Sequence, residues 1–475
     1  MSEPGEAIPP FQVLITAEEA WPAFETVVLG ADREISMGFR IFDLRTKLRS
    51  PAAQEIGEDW FDLLAHKLSQ GVKIDLVVSD FDPVMGADLH ALSMATLRIA
   101  AGLREVAGSD APLSVRAALH PARAGTLWRA VLGPLAKRST GKTPPFATVT
   151  QHQKLAVVDR DWLYIGGLDL NERRFDTKDH DRASEDTWTD VQLLMRGPEA
   201  AEAADHLAGF VAQTHGQTPP NRLRHIRRTL SKPRALQSFH LSPRTVLREI
   251  EADHLAGIRD AEELIYIETQ FLRSSRIARA LARAAMEKPH LRLILVLPAL
   301  PDDVAFEGNR DLDARYGLWL SHQALKRVSE AFGPRMSILS PVRQTRTTHE
   351  GLHVLAGAPI IYVHSKIFIA DNRFALVGSA NLNGRSLRWD TEAAVALREP
   401  KRILSLRKAI SAHWWSDEAP PQALDLGQAQ TWWQTAAEEN AERAPRNRLG
   451  FLVPHDPNRL PDMRVPLPGV TEDIV

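Results

Sequence analysis

The chain has 475 residues, with 58 Lys and Arg against 60 Asp and Glu, which gives a net charge of -2 at neutral pH. This balance and a hydrophobic fraction of 44% are typical of a folded globular protein and exclude the disordered and fibrous classes. The chain also lacks the overall basic excess that dedicated nucleic-acid binders usually have. Because there is no cysteine, disulfides, thiolate metal sites, iron–sulfur clusters and cysteine nucleophiles are excluded.

The first residues, MSEPGEAIPPFQVLITAEEAW, are acidic and lack the basic region and apolar core of a signal peptide. The most apolar runs, such as residues 293–297, are much shorter than the roughly 20 residues that cross a bilayer. We therefore expect no transmembrane segment and a cytoplasmic location, with peripheral attachment to a membrane left open.

Helical and extended segments alternate along the chain, which predicts an α/β fold. The pattern from Thr16 to Glu19 is a capping box and predicts a helix that runs towards Leu29. Short segments rich in Ile, Val and Leu predict strands in the first half at residues 34–42, 72–78, 113–119, 154–158 and 163–165. The same signals predict strands in the second half at residues 264–267, 292–297, 337–340, 366–369 and 375–377.

A segment with Pro219-Pro220 and many Arg residues separates the two halves. It predicts a solvated linker, with a basic surface for anionic lipid headgroups or nucleic acid as the alternative. From about Asp417 the chain is rich in Pro and irregular, apart from a helix predicted near residues 427–444. We therefore divide the chain into an N-terminal unit, a basic linker, a C-terminal unit and a tail, at residues 1–215, 216–245, 246–416 and 417–475.

One segment occurs twice. From His152 the sequence is HQKLAVVDRDWLYIGGLDLNERR, and from His364 it is HSKIFIADNRFALVGSANLNGRS. The two copies align without a gap and share Lys, Asp, Gly, a small residue, a short polar residue and Asn at the same offsets from the His. These positions are Lys154, Asp159, Gly166, Gly167, Asp169 and Asn171 in the first copy, and Lys366, Asp371, Gly378, Ser379, Asn381 and Asn383 in the second. One such motif arises by chance, whereas two copies with the same downstream pattern do not.

The spacing has a physical meaning. Residues at i and i+2 of an extended chain project from one face, so each His points the same way as its Lys. The apolar runs on either side of Asp159 and of Asp371 predict a hairpin, and we assign these two Asp residues to its turn. Gly166, Gly167 and Gly378 follow the returning strand, where small residues let the chain pass close to the His and Lys.

Two halves built alike indicate a pseudo-two-fold arrangement that brings both His-Lys pairs into one pocket. Such a pocket suits phosphoryl transfer, because one neutral His can attack phosphorus while the other protonates the leaving oxygen. The two ammonium groups would stabilise the developing negative charge. Two adjacent Lys residues would also repel a metal ion, so we predict neither a metal nor a cofactor.

At these residues the chain resembles the phospholipase D superfamily, whose hallmark is a duplicated H-x-K-x4-D motif, and in particular its phospholipid-hydrolysing members. The likeness extends to IGGLDLNERRFDTKDH from Ile165, TWTDVQLLMRGPEA from Thr187, the region from Ile361, and IYIETQFL from Ile265, where Thr269 replaces the family's Asn. The resemblance implies two α/β repeats, each a mixed sheet flanked by helices, related by a pseudo-two-fold around one shared active site. It also implies a covalent phosphohistidine intermediate.

The resemblance further implies roles for single residues. His152 would be the nucleophile and His364 the general acid and later the base, although these two roles can be exchanged. Lys154, Lys366 and Asn383 or Asn381 would hold the phosphate oxygens, and we place the matching positions Asp169, Asn171 and Ser379 with them at the substrate. Asp190 and Glu392 match family positions and fit as carboxylates that set the tautomer and charge of the two imidazoles.

We therefore expect a phospholipase D-like phosphodiesterase that hydrolyses or transphosphatidylates glycerophospholipids to phosphatidic acid and a free headgroup alcohol. The expected partners are a phospholipid substrate at a membrane surface and water or a primary alcohol as acceptor, with no nucleic acid and a monomeric chain. The alternatives are a cardiolipin-synthase-like phosphatidyltransferase and a nuclease of the same superfamily. The alternative outside enzymes is a module that binds phosphate esters or membranes, and the intact His and Lys residues of both copies speak against it.

Overall fold

The computed structural model of the protein describes residues 8–130, 137, 141–142, 146–240, 242–415 and 419–474. Within these ranges the strands form a seven-stranded sheet, a nine-stranded sheet and a two-stranded hairpin. Helices flank both large sheets. No helix in the described ranges is both long enough and apolar enough to cross a bilayer.

The first sheet is built from the N-terminal half of the chain. Its strands are β1 (Phe11–Ile15), β2 (Glu34–Phe39), β3 (Lys73–Ser79), β4 (Leu113–Ala118), β5 (Leu155–Val158), β6 (Trp162–Gly166) and β7 (Val191–Arg196). Their order across the sheet is β4-β3-β2-β5-β6-β7-β1. The neighbours among β2, β3 and β4 are parallel, and the other neighbours are antiparallel.

The C-terminal half forms the second sheet and the hairpin. Its strands are β8 (Ile226–Lys232), β9 (Arg244–Arg248), β10 (Leu264–Glu268), β11 (Arg292–Val296), β12 (Met336–Pro341), β13 (Val354–Leu355), β14 (Ala358–Pro359), β15 (Ile367–Ala370), β16 (Phe374–Gly378), β17 (Glu392–Leu397) and β18 (Leu452–Pro454). The order is β18-β12-β11-β10-β15-β16-β17-β8-β9, while β13 and β14 pair only with each other.

Seven strands of the second sheet repeat the first sheet strand for strand. The order β12-β11-β10-β15-β16-β17-β8 has the same succession of parallel and antiparallel neighbours as β4-β3-β2-β5-β6-β7-β1. Strands β18 and β9 extend the second sheet at its two edges. The predicted fold of two α/β repeats, each with a mixed sheet flanked by helices, is therefore confirmed.

Part of the segment 216–245, for which the sequence suggests a basic linker, belongs to the second sheet. It contains all of β8 and the start of β9, and β8 pairs with β17 so that Thr229 lies opposite Glu392. Arg228, one of the basic residues of this segment, is fully buried and forms an ion pair of 3.0 Å with Glu249. The tail likewise contributes β18. The limits of the four units stay a prediction.

The helices lie at Thr16–Leu29, Pro51–Gln54, Trp60–Ser69, Ala87–Ala107, Pro198–Thr214, Glu249–Asp260, Ser275–Glu287, Asp302–Ala305, Leu312–Phe332, Gly384–Arg388, Pro400–Trp415 and Ala429–Glu442. The first of them has the predicted bounds, but the predicted capping box is wrong in one respect. The hydroxyl of Thr16 has no hydrogen-bond partner, whereas the carboxylate of Glu19 accepts the backbone N–H of Ile15 at 2.9 Å.

The two sheets share one hydrophobic core. Leu155 and Leu193 of the first sheet and Ile367 and Val395 of the second belong to a single buried cluster, together with Phe210 of the helix Pro198–Thr214. Each sheet also has its own cluster on its other face. Because apolar burial is the main stabilising contribution to folding, this shared core holds the two repeats together. It therefore fixes the interface between the two repeats, which we call the seam.

Candidate active site

The two His-Lys pairs lie where the parallel strands of each repeat end. One pair directly precedes β5 and the other directly precedes β15. Each of these strands runs antiparallel to a central neighbour, so its first residue lies opposite the carboxyl end of that neighbour, at Gly38 of β2 and at Glu268 of β10. The carboxyl edge of an open α/β sheet is the usual place for a binding site in such folds.

The backbone of each repeat holds the histidine of the other. The N–H group of His152 donates to the carbonyl of Thr391 at 2.8 Å, and the N–H group of His364 donates to the carbonyl of Thr189 at 2.8 Å. The same hydrogen bond is thus formed twice. The first repeat donates in one case and the second repeat donates in the other. The pairing across the seam therefore has pseudo-two-fold symmetry, and it brings together residues that are far apart in the sequence.

The residue that follows each of these two threonines supplies a carboxylate to the same histidine. Oδ2 of Asp190 lies 2.6 Å from Nδ1 of His364. Oε1 and Oε2 of Glu392 lie 3.0 and 3.1 Å from Nδ1 of His152. A carboxylate at Nδ1 orients the ring and fixes its tautomer, which directs Nε2 to the reacting group. The structure thus brings both acids suggested by the sequence to the imidazoles, each across the seam.

Both lysines are buried beside the histidines of their own motifs. Nζ of Lys154 lies 2.7 Å from the carbonyl oxygen and 3.3 Å from Nε2 of His152. Nζ of Lys366 donates to the carbonyl of His364. Burial lowers the pKa of Lys154 and lowers that of Lys366 to about 7, although nearby carboxylates oppose the shift. The His and Lys side chains of each motif therefore point the same way.

Burial also shifts the protonation of the acids and the imidazoles. It raises the pKa of Asp190 to about 7 and that of Glu392 to about 8, and the neighbouring lysines oppose both shifts. Burial and then the lysine charges keep the pKa of His152 and of His364 well below the usual value. Several groups of this site thus titrate near neutral pH, as a site for proton transfer requires.

The small residue that follows the motif glycine differs between the repeats. The hydroxyl of Ser379 donates to Oε2 of Glu392 at 2.5 Å. Its counterpart is Gly167, where an added Cβ would lie 2.5 Å from both carboxylate oxygens of Asp190. The sequence suggested Ser379 as a substrate contact, whereas its hydroxyl bonds the carboxylate that orients His152. Asp190, the shorter acid, therefore packs directly against Gly167. Glu392, the longer acid, accepts a hydrogen bond from Ser379 at the equivalent position.

The two motif glycines allow the neighbouring strand to approach. A Cβ on Gly166 would lie 2.2 Å from the carbonyl oxygen of Val191, and a Cβ on Gly378 would lie 2.4 Å from that of Ala393. These contacts are too short for any side chain. Both glycines thus let β7 and β17 approach closely, so that Asp190, just before β7, and Glu392, the first residue of β17, reach the seam.

Asp169 and Asn381 occupy equivalent buried positions. Oδ1 of Asp169 accepts the N–H of Ile41 at 3.0 Å, and its Oδ2 lies 3.9 Å from Nζ of Lys154. Oδ1 of Asn381 has no hydrogen-bond partner. The structure therefore brings Asp169 to the lysine of its own motif, and it leaves a buried acceptor on Asn381.

Asn171 and Asn383 cap the short helices that follow the motifs. The side-chain oxygen of Asn171 accepts the N–H of Arg173 at 3.1 Å, and that of Asn383 accepts the N–H of Ser386 at 3.0 Å. Asn is a favoured residue at such positions because its oxygen satisfies a free helix N–H. The oxygen atoms of these two side chains thus already accept hydrogen bonds from the backbone.

The motif aspartates lie at the far end of the hairpins. Asp159 and Asp371 both have a positive φ, of 54° and 52°. Each carboxylate accepts three successive backbone N–H groups at the start of the neighbouring strand, those of Asp32, Arg33 and Glu34 at 2.8 Å and those of Glu262, Glu263 and Leu264 at 2.9 Å. These bonds fix β2 against β5 and β10 against β15.

Trp188 lies at the site although the motif pattern does not predict a role for it. Its ring stacks on that of His364 with a centroid distance of 4.0 Å and an angle of 18°, and Cζ of Arg174 lies 3.1 Å from the Trp188 ring. The counterpart of Trp188 is Asp390, which pairs with Arg385 at 2.9 Å. The signal was present in the sequence as Trp188-Thr-Asp190 and Asp390-Thr-Glu392, where a Thr precedes each acid.

The two histidines therefore have unlike surroundings. The side chain of His364 is 3% exposed beneath Trp188, and that of His152 is 13% exposed. In the described part of the chain, no three His, Asp or Glu side chains form a group suited to hold a metal ion.

Residues 255–414 match the family model "Cardiolipin synthase, PLD-like domain". The chain is 25% identical over 301 residues to phospholipase D2 of Bos taurus, which covers 54% of this chain and 31% of that protein. It is 26% identical over 346 residues to phospholipase D1 of Schizosaccharomyces pombe, which covers 53% of this chain and 25% of that protein. The matched part of the chain thus spans less than a third of the length of these relatives.

The phosphatidylserine synthase of Haemophilus influenzae Rd KW20 has a similar fold, with a TM-score of 0.55 at 13% identity over 85% of this chain and 86% of that structure. The matched family region includes the second His-Lys motif, and the repeated strand order supplies its counterpart in the first half. The family model and the two phospholipase D relatives support an assignment of this chain to the phospholipase D superfamily.

Proposed function

We propose that this chain hydrolyses the headgroup ester of glycerophospholipids and releases phosphatidic acid and the headgroup alcohol. The observation that carries the proposal is the exchanged pairing of His152 with Glu392 and of His364 with Asp190, beside two buried lysines. This pairing supplies two imidazoles with their Nε2 atoms free of the orienting acids. The names of the relatives, phospholipase D and phosphatidylserine synthase, agree with a phospholipid as substrate.

The reaction would proceed in two steps. Nε2 of neutral His152 attacks phosphorus, so that a P–N bond forms while the bond from phosphorus to the headgroup oxygen breaks. His364 gives its proton to that oxygen and then, as a base, takes a proton from water. The water oxygen attacks phosphorus, the P–N bond breaks, and both histidines return to their first state. Lys154 and Lys366 stabilise the negative charge on the phosphoryl oxygens in both steps.

The surroundings of the histidines support these separate roles. The contact between His364 and Asp190 is 2.6 Å, and burial raises the pKa of Asp190 to about 7, so the Asp190–His364 pair holds a proton near neutral pH that the ring can pass to a leaving oxygen. Glu392 shares its Oε2 atom with the hydroxyl of Ser379, which weakens its pull on the proton of His152. A neutral ring with a free Nε2 is the form that attacks phosphorus. We therefore propose His152 as the nucleophile.

Transfer of the phosphatidyl group to an alcohol is the second candidate. The matched family description and the similar solved structure both name synthases. The first step is the same in both reactions, and the acceptor in the second step is an alcohol oxygen instead of water. Incubation with a primary alcohol distinguishes the two, because transfer yields the phosphatidyl ester of that alcohol at the expense of phosphatidic acid.

The test measures free headgroup alcohol and phosphatidic acid from mixed liposomes in excess chelator. The wild-type protein is expected to release both, and His152→Ala and His364→Ala are each expected to lose several orders of magnitude in rate, because nucleophile and acid act as a unit. The control is His66→Ala, at a half-buried helix position away from the seam. Loss of activity on chelation would contradict a metal-free reaction, and cleavage of nucleic acid without lipid turnover would favour a nuclease.

The intermediate gives a second test. Base-stable and acid-labile label from the phosphoryl group of the substrate should appear on the peptide that contains His152 after a rapid quench without acid, because a P–N bond to imidazole hydrolyses in acid. Label on the peptide of His364 instead would exchange the two proposed roles. The absence of label from both peptides in an active enzyme would contradict a covalent intermediate.

A further inference from the structure

Two loops next to the seam form one fixed surface. The first follows β4 and includes a helical segment at residues 126–130, and the second connects β8 to β9 and includes the short 3-10 helix Gln237–Phe239. Nε1 of Trp128 donates to the carbonyl of Phe239 at 3.2 Å, and the side-chain amide of Gln237 donates to the carbonyl of Arg123 at 2.9 Å. The N–H of Gly125 donates to the carbonyl of His240 at 3.0 Å. Three hydrogen bonds therefore hold the two loops to each other.

These loops carry a group of exposed apolar side chains, which we call the apolar patch. Its members are Leu127, Trp128, Leu236 and Phe239, which are 54%, 38%, 66% and 63% exposed. Single exposed apolar residues are ordinary on protein surfaces, but a group of large ones usually marks an interaction site. Trp is also enriched at the level of lipid headgroups. The composition of the patch thus fits an interface with lipid.

Positive charge surrounds the apolar patch. Arg123, Arg129 and Arg244 are exposed on or beside the two loops. Residues 111–158 and 216–248 contain neither Asp nor Glu, although the whole chain carries a net charge of -2. Exposed apolar and Trp side chains among cations are the pattern of a surface that inserts into an anionic bilayer. The negative surface of an anionic membrane is complementary to this one-sided charge.

The apolar patch lies on the same side of the molecule as the histidines. Its first loop leaves the carboxyl end of β4, which is parallel to β3 and β2, and the histidines lie at that sheet edge. The second loop follows β8, in which the hydroxyl of Ser231 donates to the carbonyl of Trp389. The next residue, Asp390, accepts the N–H of Thr150 at 2.8 Å, two residues before His152.

We propose that the apolar patch docks the protein onto membranes that contain anionic phospholipids. Leu127, Trp128, Leu236 and Phe239 enter the headgroup region, and the surrounding arginines contact the lipid phosphates. Docking in this orientation directs the sheet edge with the two histidines towards the bilayer. The purpose of the docking rests on the proposed lipid hydrolysis, but the docking itself can be measured without turnover.

The test is co-sedimentation with vesicles of phosphatidylcholine alone and of phosphatidylcholine mixed with phosphatidylglycerol. All proteins carry His152→Ala, so that the lipid stays intact. We expect binding to the mixed vesicles that weakens as salt is added, and little binding to phosphatidylcholine alone. The triple variant Leu127→Ser, Leu236→Ser and Phe239→Ser should bind the mixed vesicles at least about tenfold more weakly, because each apolar side chain contributes on insertion.

A matched triple variant controls for the loss of exposed apolar surface. Val106, Met286 and Leu312 are 67%, 70% and 58% exposed and lie outside the apolar patch. Their replacement by Ser should leave binding to the mixed vesicles unchanged. Equal binding by the wild-type protein and the patch variant would overturn the proposal. A patch variant that changes the oligomeric state in solution while its vesicle binding stays unchanged would also overturn it, since the surface would then join two copies of this chain.

Assays of hydrolysis distinguish a failure of the docking proposal from a failure of the proposed function. With His152 restored, the patch variant should hydrolyse a monomeric short-chain phospholipid at the wild-type rate but lose most of its activity on the mixed vesicles. A chain that binds vesicles through the apolar patch and hydrolyses no phospholipid would support docking and contradict the proposed function. Hydrolysis of both substrates at wild-type rates by the patch variant would contradict docking and leave the proposed function in place.

Discussion

Ser379 donates its hydroxyl to Glu392 at 2.5 Å, and this bond has no counterpart in the other repeat, where Gly167 stands at the same position. Glu392 in turn contacts Nδ1 of His152. The backbone bonds across the seam are therefore symmetric, but the two acid–histidine pairs that they hold differ chemically. This difference gives each histidine its own expected response to mutation.

Replacement of Ser379 by Ala should alter the pH dependence of catalysis. Burial raises the pKa of Glu392 to about 8 and the hydroxyl opposes this shift, so its loss lets the pair of Glu392 and His152 take up a proton at higher pH. The acidic limb of kcat/KM should move to higher pH, and kcat should fall by about tenfold, as expected for the loss of one hydrogen bond to a charged group. The control is the exposed Ser69→Ala. An unchanged acidic limb would show that Ser379 does not act through His152.

Replacement of Gly167 by Ala should displace Asp190 from His364. The new Cβ would lie 2.5 Å from both carboxylate oxygens, so the acid must move. We expect a loss of at least about a hundredfold in kcat, because His364 loses the partner that orients it. Gly30→Ala serves as the control, since a Cβ there meets only ordinary contacts at 3.6 Å or more. Wild-type kcat in Gly167→Ala would disprove the proposed role of Asp190.

Replacement of Asp159 by Ala should reduce stability rather than catalysis. The variant removes the acceptor of three backbone N–H bonds at the start of β2 and should lower the free energy of unfolding by about 2 kcal/mol at neutral pH. Asp161→Ala removes an exposed ion pair with Arg196 and should cost less than about 1 kcal/mol. Urea denaturation measures both variants.

The effect of Asp159 should also depend on pH. Partial burial opposes the shift, but the three backbone donors lower the pKa of Asp159 below its usual value. The stabilisation is therefore present above the pKa of the unfolded chain and is lost as the pH falls through the lower pKa of the folded protein. The stability difference between wild type and Asp159→Ala should shrink below about pH 4. A constant difference down to lower pH would contradict this assignment.

Replacement of Asp190 by Asn should have the opposite pH dependence. Burial raises the pKa of Asp190 to about 7, so the folded protein binds a proton that the unfolded chain has released. As the pH rises from about 4 to about 7, the wild-type protein should lose stability relative to Asp190→Asn. Urea denaturation over this range checks the prediction, with the exposed Asp110→Asn as the control. Parallel stability curves for Asp190→Asn and wild type would refute the raised pKa.

The sequence alone was sufficient for the repeat and most of the strands. The predicted strands at residues 113–119 and 264–267 lie within one residue of β4 and β10, because short apolar runs between turns mark buried strands. The capping role of Thr16 was predicted wrongly, since the tertiary structure placed its hydroxyl in a buried position without a partner. Local patterns thus predicted elements better than they predicted single contacts.

By itself the sequence also determined which residues are the candidates for catalysis, because His152, Lys154 and their copies keep a fixed local spacing that any extended strand presents on one face. Only the tertiary structure decided that Glu392 orients His152 and that Asp190 orients His364. These partners are 240 and 174 residues apart, and the bonds between them depend on how two separately formed sheets pack. Spacing along the chain carries no record of that packing.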